Sequence, residues 1–393
     1  MKKKQLIILI VAAVLLGGIY FWQNSSRSSD WQGGEGAASE FIMPDFEFEK
    51  VYSVRLEKEN DDEALTLQRG EKGWGLQERY GYPIDQSSLQ TLFMDLLETK
   101  VAQRLVLNQE QLEELGLAQG SRLMKLLDKD GKLLGQLRFG RKHERESEMP
   151  AMPYGGGGNI PLGRFMELDG GDYILAANTF SRVDDDMKQW LDKEFFKVSD
   201  LKKVSLRQAG ELLWELSRDS KSADLSLAGE GPPEGKEIDS SKLNAVKNAF
   251  SWIRFNDVAD PAAEAESIGM DQAKTLQIVD FDDFVYTLQI AALKDGKQHL
   301  QVAVSWQGET ERQPGEDEKP EDKQRLDSEF AAKLRERQEK AKELKERLSG
   351  WTYIVGASSL DSVNVARDDF FKDKPKPVEE DKAEAEAEAG QED

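Results

Sequence analysis

The densest group of carboxylates in the sequence is Asp184–Asp186, three consecutive aspartates that follow Ser181. Paired carboxylates carry acid–base and glycosidic chemistry, so a hydrolase site would be expected here first. Adjacent side chains on a helix point in different directions, however, and the helix dipole favours acidic residues at a helix N-terminus. We therefore interpret the three aspartates as the start of a helix, and a hydrolase remains an alternative.

The other residue types capable of chemistry form no recognisable motif. His143 and His299 lack a third metal ligand at useful spacing. Asp128–Gly131 resembles the start of a calcium loop, but Lys132 occupies the next ligand position, so a hairpin turn is predicted. Gly155–Gly158 lacks the lysine and helix start of a phosphate-binding loop, which favours a surface loop, with partner contact as the alternative. The sequence therefore predicts no catalytic, cofactor or metal site, and no enzyme.

Composition limits the classes of partner. The 393 residues carry a net charge of −22, from 75 acidic and 53 basic residues. Such a balance argues against a nucleic-acid partner, because phosphate backbones select basic patches. An acidic surface mainly keeps a protein soluble. The absence of cysteine excludes disulfides, thiolate metal sites, a cysteine nucleophile and a lipid-anchored lipoprotein.

Residues 1–22 have the features of a cytoplasmic stub and membrane anchor. Lys2–Lys4 precede an uncharged apolar run, Leu6–Trp22, which would reach about 25 Å as a helix, the short end of what spans a bilayer. Basic flanks stay cytoplasmic, which predicts a single-pass protein of the bacterial inner membrane with its bulk in the periplasm. A cleaved signal peptide is the alternative, although the run ends without a small-x-small site. Residues 23–44 are predicted to form a flexible tether.

Internal similarity divides the remaining chain into two copies, 45–197 and 198–373. Similar segments recur in the same order, which chance similarity would not preserve. Val54–Leu56, for example, resembles Val204–Leu206. The matched segments are 51–56 with 201–206, 84–89 with 238–243, 115–119 with 268–272, 172–175 with 352–355, and 195–197 with 370–372.

Each copy is predicted to combine antiparallel strands with a covering helix. Alternating apolar residues predict strands at 51–56, 64–68, 74–77, 123–127, 133–139, 276–279 and 285–290. Asp85 and Asp239 are suited to cap helices with apolar stripes, and Gly116 and Gly269 suit positions that need a positive φ. The predicted fold class is therefore α+β: an N-terminal transmembrane helix followed by two tandem copies of a mostly antiparallel sheet-plus-helix unit.

Two segments fall outside the repeat. Residues 308–349 interrupt copy two with an acidic linker and a charged helix at 327–348, which has a thin apolar seam at Phe330, Leu334, Ala341, Leu344 and Leu348. Such a seam usually rests on its own domain, and a partner-binding coiled coil is the alternative. Residues 374–393 lack apolar anchors and are predicted to be a disordered acidic tail.

The assembled features resemble a bacterial family known as domain of unknown function 4340. The resemblance rests on the apolar N-terminus and on Val54–Leu56, Gly73–Leu76, Pro83–Asp85, Leu115–Leu117, Leu137–Gly140 and Tyr173-Ile174. Members look like membrane-anchored extracytoplasmic proteins, often encoded beside ABC-transporter components of the gliding-motility type. The resemblance implies an accessory role and supplies no catalytic residues. Copy two departs from the pattern, since Ala223–Leu225 stands where the tryptophan strand would be.

Three functional hypotheses follow. The leading one is a non-enzymatic, membrane-anchored accessory or scaffold protein of an ABC-type transport or envelope complex, with permease or ATPase subunits as partners. The second is an extracytoplasmic ligand- or glycan-binding module with a groove between the copies, where Trp74, Tyr80 and Tyr82 would stack on sugars, although core packing is the commoner fate of such residues. The third is a hydrolase that uses Asp184–Asp186.

Overall fold

The computed structural model describes residues 40–58, 64–118, 120–145, 160–315 and 318–375. The predicted membrane segment 1–22, most of the tether 23–44, the Gly155–Gly158 loop and nearly all of the tail 374–393 lie outside them. The chain forms two compact units. The first unit contains residues up to Trp74 and then Gln86–Asp186, and the second contains Gly75–Asp85 and the chain from Met187 onwards. The predicted copy boundaries, 45–197 and 198–373, stay a prediction.

Strands dominate the described residues. The N-terminal half contains β1 (Ser53–Lys58), β2 (Ala64–Gly70), β3 (Gly73–Leu76), β4 (Tyr82–Pro83), α1 (Gln86–Glu98), β5 (Val101–Leu105), α2 (Gln109–Glu114), β6 (Arg122–Leu127), β7 (Leu133–Arg145), β8 (Ile160–Glu167), β9 (Tyr173–Ala176) and α3 (Met187–Trp190). The C-terminal half contains β10 (Leu201–Gln208), β11 (Glu211–Ser217), β12 (Ser226–Leu227), β13 (Lys236–Ile238), α4 (Ser240–Asn248), β14 (Phe255–Val258), β15 (Lys274–Asp280), β16 (Phe284–Ile290), β17 (Gln298–Trp306), α5 (Pro320–Leu348), β18 (Thr352–Val355) and β19 (Phe371–Asp373). Short 3-10 helices cover Phe48–Lys50, Gln77–Arg79, Ser181–Asp184, Met270–Gln272, Ala357–Leu360 and Arg367–Phe370.

Local sequence explains why these elements form. In β1, Val54 and Leu56 are fully buried while Arg55 between them is exposed, as expected for a strand with one face on a core. In α1, the buried leucines recur at helical spacing along one face. Before α4, the Asp239 carboxylate accepts a hydrogen bond from the Ser241 backbone N–H at 3.0 Å, which caps the helix.

The two large sheets share the order of seven strands. The nine-stranded sheet has the order β4-β3-β2-β1-β6-β7-β8-β9-β5, and the eight-stranded sheet has the order β12-β11-β10-β15-β16-β17-β18-β14. The seven strands from β2 to β5 in the first list correspond in order to the seven from β11 to β14 in the second. Neighbouring strands are antiparallel in both: Val54 pairs with Leu67 and Leu126, and Val204 occupies the same position between β11 and β15. A third sheet pairs β13 with β19. Each of these seven strands therefore has a counterpart in the other large sheet by its place in the order.

The predicted fold class, α+β with an N-terminal transmembrane helix, is wrong. The described residues form nineteen strands in three mostly antiparallel sheets with few helices. The predicted membrane helix lies outside the described residues, and within them no helix is both long and apolar enough to cross a membrane. The one helix of sufficient length, α5, carries charged side chains in every turn, which would be costly to bury in hydrocarbon.

The charged helix of the insertion begins earlier than predicted, at Pro320, and rests on its own unit. It packs against β17, and its seam turns inward, with Leu344 and Leu348 buried. The Arg337 guanidinium donates to the Asp282 carboxylate at 2.9 Å, and the Lys340 ammonium lies 4.9 Å from the centroid of the Phe284 ring. The seam thus serves intramolecular packing, and the outward face remains charged and exposed.

Residues 75–85 are part of the second unit although they lie within the first predicted copy. Arg79 forms a two-bond ion pair with Asp257, with Nε–Oδ1 and Nη2–Oδ2 distances of 2.6 and 3.1 Å. The Tyr82 ring packs edge-on against Phe255 and Trp351, at centroid distances of 5.7 and 4.9 Å. These contacts fix the segment on the second unit and bring Tyr82 into its aromatic core.

Candidate functional site

A cleft of about 300 Å³ opens on the solvent face of the second unit's sheet, beside the C-terminal end of α5. We call it the amide cleft. It lies over β16, β17 and the start of β18. Its polar and ring-bearing lining residues are Pro261, Thr287, Gln289, Gln301, Ser349, Trp351 and Thr352. The opposite face of the same strands carries buried apolar residues such as Leu288 and Leu300. The period of two along each strand therefore places polar side chains toward the cleft.

A row of four polar residues crosses the floor of this region, one from each of β15 to β18. The register pairs Thr275 with Gln289, Gln289 with Gln301, and Gln301 with Thr352. Thr275 Oγ1 donates to Gln289 Oε1 at 3.1 Å, and Gln301 Nε2 donates to Thr352 Oγ1 at 2.8 Å. Each outer threonine thus holds one end of a glutamine amide, which fixes the two amides side by side on adjacent strands.

Trp351 is the one aromatic residue among the ten that line the amide cleft. Its ring meets Tyr82 edge-on, and Tyr82 in turn packs against Tyr353 at 6.2 Å between centroids. Burial raises the pKa of the Tyr82 and Tyr353 hydroxyls well above the ordinary tyrosine value, so both stay neutral. The indole is therefore held by a neutral, closely packed aromatic cluster.

The lining limits what the amide cleft can do. None of the ten residues that line it is ionisable, so the cleft offers amides, hydroxyls and one indole but no general acid, base or charged ligand. Groups of this kind recognise a neutral polar molecule by hydrogen bonds and ring contact.

Asp184–Asp186 lies at the junction of two short helices. Asp184 is the last residue of the 3-10 helix Ser181–Asp184, and Asp185 and Asp186 directly precede α3, which begins at Met187. The Asp184 carboxylate accepts two hydrogen bonds from Arg164, at 2.8 and 2.9 Å, and lies 3.0 Å from the Lys142 ammonium. Burial alone would raise the pKa of Asp184, but Arg164 and Lys142 outweigh it and hold that pKa below its ordinary value. Asp184 is thus a fixed anion that neutralises a buried arginine.

The remaining residues considered for chemistry have structural surroundings. Asp128 Oδ1 accepts from the backbone N–H of Asp130 and Lys132, which confirms the predicted hairpin turn. His143 packs edge-on against Phe165, and His299 is buried in β17. Within the described ranges no group of three or more His, Cys, Asp or Glu side chains is placed to hold a metal ion.

The aromatic residues predicted to stack on sugars do not share one environment. Tyr82 is only 2% exposed and belongs to the core of the second unit. Trp74 belongs to the first unit, where it packs edge-on against Phe93. Tyr80 is half-exposed in a left-handed turn conformation with φ of 60°. A buried Tyr82 cannot contact a sugar, so the predicted stacking set is not assembled.

Sequence reasoning missed the amide cleft and one exposed aromatic residue. Trp252, after α4, is 77% exposed, and its only ring contact in the described chain is the Lys197 ammonium, 4.4 Å from the ring centroid. Its neighbours Phe250 and Ile253 are buried, so the loop is anchored on both sides. The sequence contained part of this signal, because Trp252 is an apolar residue that lies off the helical stripe Leu243, Val246, Phe250 and Ile253.

Comparison with known proteins places the chain in a family. Residues 74–273, a little over half of the chain, match the family described as Domain of unknown function (DUF4340). No curated protein and no solved structure matches. The match confirms the resemblance drawn from motifs such as Gly73–Leu76 and Leu115–Leu117. The chain therefore belongs to the DUF4340 family.

Proposed function

We propose that this protein is a non-catalytic accessory or scaffold component of an ABC-type transport or envelope complex, working outside the cytoplasm. The family resemblance supports a role beside transporter subunits. The observation that carries the proposal is Trp252, an indole that is 77% exposed in a chain of net charge −22.

An exposed tryptophan is an unusual feature of a surface that meets only water. Tryptophan is enriched among the residues that dominate protein–protein binding energies, and burying a large apolar side chain against a partner contributes roughly 2 kcal/mol. The buried neighbours Phe250 and Ile253 hold the loop in place, which lowers the entropy that binding would cost. Lys197 adds a cation beside the ring, suited to an acidic or aromatic group of the partner.

Affinity purification from detergent extracts tests the proposal. The full chain should enrich permease or ATPase subunits of an ABC-type transporter, and Trp252→Ala should lose most of that enrichment. Leu212→Ala is the matched control, because Leu212 is also exposed, at 48%, but lies on β11. The proposal fails if transporter subunits are not enriched, or if both variants retain them equally.

Location is tested separately. A reporter enzyme that is active only outside the cytoplasm, fused after Asp373, should be active in intact cells. Activity confined to a reporter that works only in the cytosol would refute the proposed location.

A further inference from the structure

We propose that the amide cleft is a binding site for a neutral saccharide, with a pyranose ring against Trp351 and a ring hydroxyl between Gln289 and Gln301. This site lies in the second unit and is independent of Trp252 and of the proposed partner. It also differs from the groove of Trp74, Tyr80 and Tyr82 that the sequence suggested.

The first argument is the hydrogen bonding of the two amides. The amide oxygen of Gln289 accepts a hydrogen bond from the Thr275 hydroxyl, and the amide nitrogen of Gln301 donates one to the Thr352 hydroxyl. Within the part of the chain that the structure describes, Gln289 Nε2 and Gln301 Oε1 have no further partner. One is a donor and the other an acceptor, on directly paired residues of β16 and β17. A hydroxyl both accepts and donates, so one hydroxyl satisfies both ends.

The second argument comes from the first unit, where the corresponding row is closed. By the shared strand order, Gln289 and Gln301 correspond to Arg138 and Glu167, which are also directly paired. Arg138 Nε donates to the Glu167 carboxylate at 2.9 Å, so these two side chains form an ion pair with each other. At the corresponding position of the second unit, Gln289 and Gln301 carry neutral amides that do not hydrogen-bond to each other, and both line the cleft. The opening therefore coincides with the loss of the internal pair.

The third argument is the match between the walls and a sugar. A pyranose has an apolar C–H face and a rim of hydroxyls, and aromatic side chains bind such amphipathic faces. Trp351 provides the ring, fixed by Tyr82. Pro261 adds an apolar edge, and Thr287 a further hydroxyl. A lining without ionisable groups, in a chain of net charge −22, favours neutral sugars over anionic ones.

Saturation-transfer NMR and titration calorimetry on the full chain test the site. The neutral probes are D-glucose and N-acetyl-D-glucosamine, and D-glucuronate is the anionic control. The double variant Q289R/Q301E installs the ion pair of the first unit and should weaken binding of the neutral sugars by at least about tenfold, the loss of one to two hydrogen bonds. The milder Q301A should weaken it in the same direction, and circular dichroism checks that both variants fold.

Trp252→Ala separates this proposal from the proposed function, because it should lose the protein partner and keep sugar binding, while Q289R/Q301E should do the reverse. Binding of a neutral sugar to the wild-type chain that falls in both glutamine variants supports the site. The site is refuted if neither neutral sugar binds the wild-type chain, if the glutamine variants bind equally well, or if D-glucuronate binds as tightly as D-glucose.

Discussion

Replacing Asp184 by asparagine should destabilise the first unit by about 2 kcal/mol. The substitution leaves the Arg164 guanidinium, which is 4% exposed, without its anionic partner. Breaking a buried pair on one side costs about 3–5 kcal/mol. Asp184 itself is 38% exposed, so solvent screening reduces that cost. The carbonyl oxygens of Gly140 and Thr179 continue to accept from Arg164, which reduces it further.

Urea titration, together with amide hydrogen exchange measured in β8 and β9, gives the free energy of unfolding of the first unit. Asp185→Asn is the matched control, because its longer bond to Arg182, at 3.3 Å, joins two partly exposed groups and should change stability by less than about 1 kcal/mol. Since the pKa of Asp184 is lowered by folding, its contribution is present above the unfolded pKa of about 4 and is lost as pH falls below that value. A change under about 0.5 kcal/mol, which is the usual range for surface substitutions, would refute a structural role for Asp184.

Two further predictions concern the second unit. Burial, and next the charge of Lys297, lower the pKa of His299, so the unfolded chain binds a proton more readily and stability should fall as pH drops below about 6.5. His299→Gln should flatten that part of the pH–stability curve, and an NMR titration that gives an unshifted pKa would contradict the reasoning. Gly269→Ala should cost more than about 1 kcal/mol, because φ is 74° and an added Cβ would lie 2.6 Å from the Ala292 carbonyl oxygen. Gly296→Ala, at φ 70° with no atom within 4 Å of the added Cβ, should lose less stability. Thermal unfolding of both variants measures the difference, and equal losses would refute the steric clash with Ala292 as a cause.

Local features of the fold could be predicted from sequence because their causes are local. The strand at Val54–Leu56 follows from alternation, and α4 begins directly after Asp239, whose side chain provides the predicted cap. Gly116 and Gly269 both adopt the positive φ that their positions required. The predicted fold class was nevertheless wrong. Alternation of apolar and polar residues identifies single strands but does not predict how many of them pair in one sheet.

The missed features depend on residues far apart in the chain. Asp184 was interpreted by its neighbours in sequence, but its environment is set by Arg164 and Lys142, which reach it from β8 and β7. The amide cleft depends on register: Gln289 and Gln301 are unremarkable as single polar residues and become a pair only when β16 and β17 align. Likewise, Arg79 meets Asp257 across 178 residues of sequence. Partners that lie this far apart in the chain are brought together by tertiary structure, which no local pattern encodes.

Site-specific photo-crosslinking in living cells tests the central functional claim most directly. A photoreactive amino acid placed at position 252 should form a covalent adduct with a permease or ATPase subunit of an ABC-type transporter, and the same residue placed at position 212 should not. If position 252 gives no adduct with a transporter subunit, or if the two positions give the same products, this protein does not use the loop of Trp252 to join such a complex.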